Sequence, residues 1–113
     1  MIFNFFKPKP TLMELIPNGF VDIHSHVLPG IDDGAKDIKE SLVLLSEMEK
    51  IGFKKIIATP HTYPGLYENN PKKIIKSYDL VNSKLKGSLE IEYATRFWWG
   101  GIFCRSIYKI CKY

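Results

Sequence analysis

Three short apolar runs, separated from one another by two stretches of helical periodicity, constrain this chain most. Phe20 to His26 reads as a strand, entered from Asn18-Gly19 and left at Leu28-Pro29-Gly30. A helix is predicted from near Asp37, because Ile38, Leu42, Leu45 and Met48 make one apolar stripe and Gly52 can close the last turn. Phe53 to Thr59 is a second strand, stopped by Pro60. Asn70-Pro71 opens a second helix, with Asn as cap and Pro in the first turn; Ile74, Tyr78, Val81 and Leu85 form its stripe and Gly87 ends it. Leu89 to Thr95 is the third strand, its Leu89, Ile91 and Tyr93 lying opposite Glu90 and Glu92. Strand and helix thus alternate, which predicts an α/β fold with a parallel sheet or part of an α/β barrel.

At 113 residues there is room for one domain. The pattern divides it into an N-terminal extension over 1–17, an α/β body over 18–95 and a tail over 96–113. No apolar run approaches the ~18 residues of a membrane span, so stable membrane insertion is not expected. Lys7, Pro8, Lys9 and Pro10 interrupt the N-terminal aromatics, which argues against a secretory signal. Two cysteines, Cys104 and Cys111, make no disulfide framework, and a cytoplasmic location is the expectation.

The net charge of +4 comes entirely from the tail. Residues 1–95 hold 12 lysines against 12 acids, whereas 96–113 hold Arg96, Arg105, Lys109 and Lys112 with no acid. A neutral body with a basic tip is not a nucleic-acid-binding face. The tail also holds both tryptophans, both cysteines and both arginines, with no clean period of 2 or 3.6. It reads like a different text from what precedes it, as a shifted reading frame would.

His24-Ser25-His26 is the sharpest local feature. Residues two apart in a strand share a face, so both imidazoles project together at the strand's C-terminal end. That pattern fits a transition-metal pair, but a bare H-x-H is common by chance, and the alternative is two surface or supporting histidines at a strand exit. His61, the third and last histidine, follows the second strand in the same way, and this convergence favours a metal site. Asp32-Asp33-Gly34 is either a carboxylate contribution to such a site or simple turn chemistry. Asp22 lies one step deeper on the His24 face, suited to supporting the ligands. Tyr63, Gly65, Tyr67 and Asn69 stand in the loop after His61, as an aryl-phosphate pocket or as an ordinary connection.

The string HSHVLPGIDDGAK, with IIATPH and GLYENNP after it, resembles the manganese-dependent tyrosine-protein phosphatases. These belong to the PHP (polymerase and histidinol phosphatase) superfamily and accompany capsular and exopolysaccharide systems. The resemblance covers roughly residues 18–95 and implies an incomplete PHP-type (β/α)7 barrel. It implies His24, His26 and His61 as metal ligands, Mn²⁺ as cofactor and Asp33 as a catalytic carboxylate. Asp22, Asp32, Glu90 and Glu92 become candidate ligands or supports, and Tyr63 and Tyr67 candidate substrate-loop residues. The implied reaction is phosphomonoester hydrolysis on a phosphotyrosine protein, such as the tyrosine kinase of a polysaccharide system, with water activated by the metal.

The family's later motifs do not follow. No histidine comes after His61, and Arg96 stands where a bridging glutamate is expected. The chain is therefore expected to be truncated and weakly active or inactive. A non-enzymatic barrel remnant and another H-x-H hydrolase, such as a histidinol-phosphate phosphatase, are the alternatives. A cysteine-dependent phosphatase is excluded, since C-x5-R would need arginine where Ile110 stands.

Overall fold

The structure, a computed structural model, describes residues 8–98 and 101–103. Its elements run α1 (Leu12–Leu15), β1 (Phe20–Ser25), α2 (Ile38–Ile51), β2 (Phe53–Ala58), α3 (Pro71–Lys84), β3 (Glu90–Tyr93), β4 (Arg96–Trp98) and β5 (Gly101–Phe103). β1, β2 and β3 form one parallel sheet in that order, while β4 and β5 pair antiparallel in a separate ribbon. The body is therefore the β-α-β-α-β unit that the alternation predicts, an open arc of parallel sheet of the PHP-barrel type.

Local chemistry sets the helix ends. The Asp37 carboxylate accepts the Glu40 N–H at 2.8 Å, and the Asn70 side chain accepts that of Lys73 at 2.9 Å. Each such cap is worth about 1 kcal/mol. Leu45 of α2, Ile74 and Val81 of α3, Ile56 of β2 and Ile91 of β3 are buried in one core cluster. Ile38, Met48, Tyr78 and Leu85 pack against it. On the other side of the sheet Ile57 is buried with Ala94, and Lys55 of β2 pairs with Glu92 of β3.

Two serines sit on these apolar faces and tie down the loop after β1. Ser41 Oγ donates to the Val27 carbonyl at 2.6 Å, and Ser77 Oγ donates to that of Pro29 at 3.1 Å. Both helices thus hold the segment that leads into Asp32 and Asp33.

β1 departs from a regular ladder. Asp22 is opposite Ile56 and Ser25 opposite Ala58, so β1 spends one residue more than β2 between these pairs. The bulge lies at Ile23-His24, and strand periodicity alone does not govern how the two imidazoles meet. The extension contributes the single turn α1, where Thr11 N–H and hydroxyl both donate to Glu14. In the tail, β4 and β5 form where the sequence shows no period of 2, whereas Cys104, Arg105, Lys109, Cys111 and Lys112 lie outside the described residues.

Candidate metal centre

The site forms where β1 and β2 end. The bulged end of β1 carries His24, His26 follows it directly, and His61 follows β2 after Thr59-Pro60. The His24 and His26 rings lie 5.1 Å apart, nearly perpendicular. Those of His26 and His61 stack 4.4 Å apart.

The turn after β1 separates its two adjacent acids by role. Asp32 points inward, its side chain 1% exposed, and Oδ2 lies 2.9 Å from His26 Nδ1. The same carboxylate accepts the N–H of Gly34 at 2.9 Å and that of His61 at 3.0 Å. Burial by itself would raise the Asp32 carboxyl, but these hydrogen bonds outweigh it and hold the group below its ordinary value. An ionised carboxylate only accepts, so His26 carries its proton on Nδ1 and its lone pair on Nε2. Asp33 is 60% exposed, with Oδ1 at 3.4 Å from His61 Nε2.

Gly34 makes this turn sterically possible. A Cβ at position 34 would stand 2.0 Å from the His26 carbonyl oxygen and 2.5 Å from the His26 Cβ. The turn lies directly on the histidine it serves, and Ala35 N–H donates to that same carbonyl at 3.1 Å. Turn chemistry and support of the site are one feature here.

His26, Asp33 and His61 each offer a ligand atom within 4.8 Å of the others. Two imidazoles and a carboxylate are the mixed nitrogen and oxygen set that first-row divalent ions accept, so the residues fit a divalent metal. His24 stands beside the set, its Nδ1 held at 3.0 Å by the Thr59 hydroxyl and its N–H donated to Asp22 at 3.0 Å. Glu90 and Glu92 are not brought to this cluster: Glu90 is exposed on β3, and Glu92 is taken up by Lys55.

The loop after His61 is a small hairpin. Tyr63 and Tyr67 exchange backbone hydrogen bonds at 2.9 and 2.8 Å across the Pro64-Gly65 turn. Tyr67 lies nearly parallel to His61, with ring centroids 5.9 Å apart. Buried Asn69 then clasps both loops, its Nδ2 donating to the Ile31 carbonyl at 2.7 Å and the His61 carbonyl at 2.8 Å. Its Oδ1 is buried without a hydrogen-bond partner among the described residues. Thr59 and this clasping role of Asn69 escaped sequence reasoning, since their partners lie more than 30 residues or one loop away.

The sequence model of the family described as capsular polysaccharide synthesis, CpsB/CapC, matches residues 20–100. The chain belongs to the CpsB/CapC family. It is 40% identical over 65 residues to tyrosine-protein phosphatase YwqE of Bacillus subtilis (strain 168), a match covering 58% of this chain and 26% of that protein. It is 34% identical over 70 residues to tyrosine-protein phosphatase CpsB of Streptococcus agalactiae serotype V, covering 62% and 29% respectively. A solved structure from a study of YwqE of B. subtilis and CpsB of Streptococcus pneumoniae, described as unique metal-dependent tyrosine phosphatases, superposes with a TM-score of 0.64. That likeness has 31% identity and covers 80% of this chain and 38% of the solved one. The matched part of this CpsB/CapC chain thus spans less than a third of the length of those curated relatives.

Proposed function

We propose that this chain holds a divalent cation of the Mn²⁺ class and acts, with low turnover, as a phosphomonoester hydrolase on phosphotyrosine. The observation that carries this is the convergence of His26, Asp33 and His61 within 4.8 Å. His24 is assigned as a further donor beside them. A divalent ion, when bound, neutralises charge on phosphoryl oxygens and lowers the pKa of water. The chain's own residues supply orientation: Asp32 sets His26, and Tyr67 backs His61. Tyr63, 59% exposed at the same hairpin, is the aromatic surface suited to the ring of a phosphotyrosine.

Low turnover follows from what surrounds the set. No arginine precedes Arg96, so nothing in residues 1–95 offers a guanidinium clamp for the phosphoryl group. The names and description of the YwqE and CpsB relatives support the tyrosine-phosphatase chemistry. A tyrosine kinase of a polysaccharide system is the corresponding protein substrate, met in the cytoplasm. No helix among the described residues is long and apolar enough to cross a membrane.

The test pairs calorimetric titration of Mn²⁺ with hydrolysis of a phosphotyrosine peptide and p-nitrophenyl phosphate. Binding that His26→Ala abolishes is expected, with Mn²⁺-dependent turnover below the ~1–10³ s⁻¹ of ordinary enzymes. Absence of Mn²⁺ binding sinks the reading. Turnover inside that range, lost in His26→Ala, would overturn the low-activity part alone.

A further inference from the structure

Thr59 stands one residue beyond β2 and is 1% exposed. Its hydroxyl meets three partners: Ser25 N at 3.2 Å, the Ser25 carbonyl oxygen at 3.3 Å and His24 Nδ1 at 3.0 Å. Two of the three have fixed roles, because an N–H only donates and a carbonyl only accepts. A hydroxyl owns one proton and two lone pairs. Serving all three partners sends the proton to the Ser25 carbonyl, one lone pair to the Ser25 N–H and the other to His24. That last bond requires a proton on His24 Nδ1.

We propose that Thr59 is a positioning residue that fixes His24 as the Nδ1–H tautomer and so puts the ring's lone pair on Nε2, the atom with which His24 would meet a divalent cation. The cation part rests on the metal reading above. His26 reaches the same tautomer through the Asp32 carboxylate. Both imidazoles of the His24-Ser25-His26 pair therefore present the same nitrogen, one set by a neutral hydroxyl and the other by an anion. A hydroxyl polarises an imidazole less than a carboxylate does, which makes His24 the weaker donor of the two.

The test uses the full chain, stripped of metal by a chelator and carrying isotope-labelled histidine, at a pH where imidazole is neutral. Long-range proton–nitrogen correlation spectra should show His24 with its proton on Nδ1. Thr59→Ser keeps that pattern, whereas Thr59→Val, which preserves shape and drops the hydroxyl, loses it. Mn²⁺ affinity should fall about 10–100-fold in Thr59→Val and recover in Thr59→Ser. A proton on Nε2 of His24 in the unsubstituted chain overturns the proposal, as does its retention on Nδ1 in Thr59→Val. If Thr59→Val fails to fold, the spectra of the unsubstituted chain and of Thr59→Ser decide. An Nδ1–H tautomer without Mn²⁺ binding supports the Thr59 assignment and overturns the metal reading.

Discussion

Asp32 joins the two loops of the site by reaching the side chain of His26 and the backbone of His61 with one oxygen, Oδ2. It is thus a support shared by two candidate ligands, buried while its neighbour Asp33 faces solvent. Asp32→Ala should leave the His61 and Gly34 N–H groups without their acceptor and cost about 1–3 kcal/mol per buried group left unpaired. Mn²⁺ affinity should fall about 10–100-fold through the freed His26 ring. Thermal unfolding and calorimetry read the two effects separately.

Gly34→Ala should damage the site more than its size suggests. The added methyl would meet backbone atoms of His26, which cannot swing away as a flexible side chain could. The turn must lift, carrying Asp32 and Asp33 from the imidazoles. A stability loss of about 1–3 kcal/mol is expected from the overpacking. Mn²⁺ titration of this variant should show weakened binding even where circular dichroism reports an intact α/β fold; unchanged affinity would mean that the turn tolerates displacement.

At the opposite end of the sheet, Glu49 governs an acid-sensitive contact. Its carboxylate accepts Ser88 N–H and Ser88 Oγ at 2.8 Å each and Leu89 N–H at 3.1 Å. The chain wraps it closely at Gly87, where φ is +108° and a Cβ would lie 2.6 Å from Glu49 Oε2. The backbone bond from Ser88, followed by that from its hydroxyl, holds the Glu49 carboxyl below its ordinary value. Its contribution is therefore present above the unfolded pKa of about 4.3 and is lost as pH falls through the lower folded value. Glu49→Gln should lower the melting temperature at neutral pH, and the difference from the unsubstituted chain should vanish in acid. A difference that persists at low pH would assign the effect to packing.

The alternation of strands and helices was legible because its determinants are local: the caps at Asp37 and Asn70 and the stripes through Leu45 and Val81 lie within a few residues of their partners. His26 and His61 were legible as a convergent pair because both sit just past a strand. The division of labour between Asp32 and Asp33 was not, since neighbouring acids in a turn look alike until the loop folds back. Thr59 was hidden for a similar reason: a threonine at a strand end is ordinary, and only the bulge in β1 puts His24 on its hydroxyl. Glu92 read as a candidate near the site, and a diagonal ion pair across the β2–β3 ladder occupies it with Lys55.

All three members of the candidate cluster come from the connections after β1 and β2, and none from β3. A cation seated there would therefore fasten a single β-α-β crossover, closing the length of chain between His26 and His61 into a loop whose entropy the fold has already surrendered. Loading would stiffen one edge of the sheet far more than the other. Amide exchange would slow in β1 and β2 while β3 kept its own pace, so that the site doubles as a latch on the first half of the sheet.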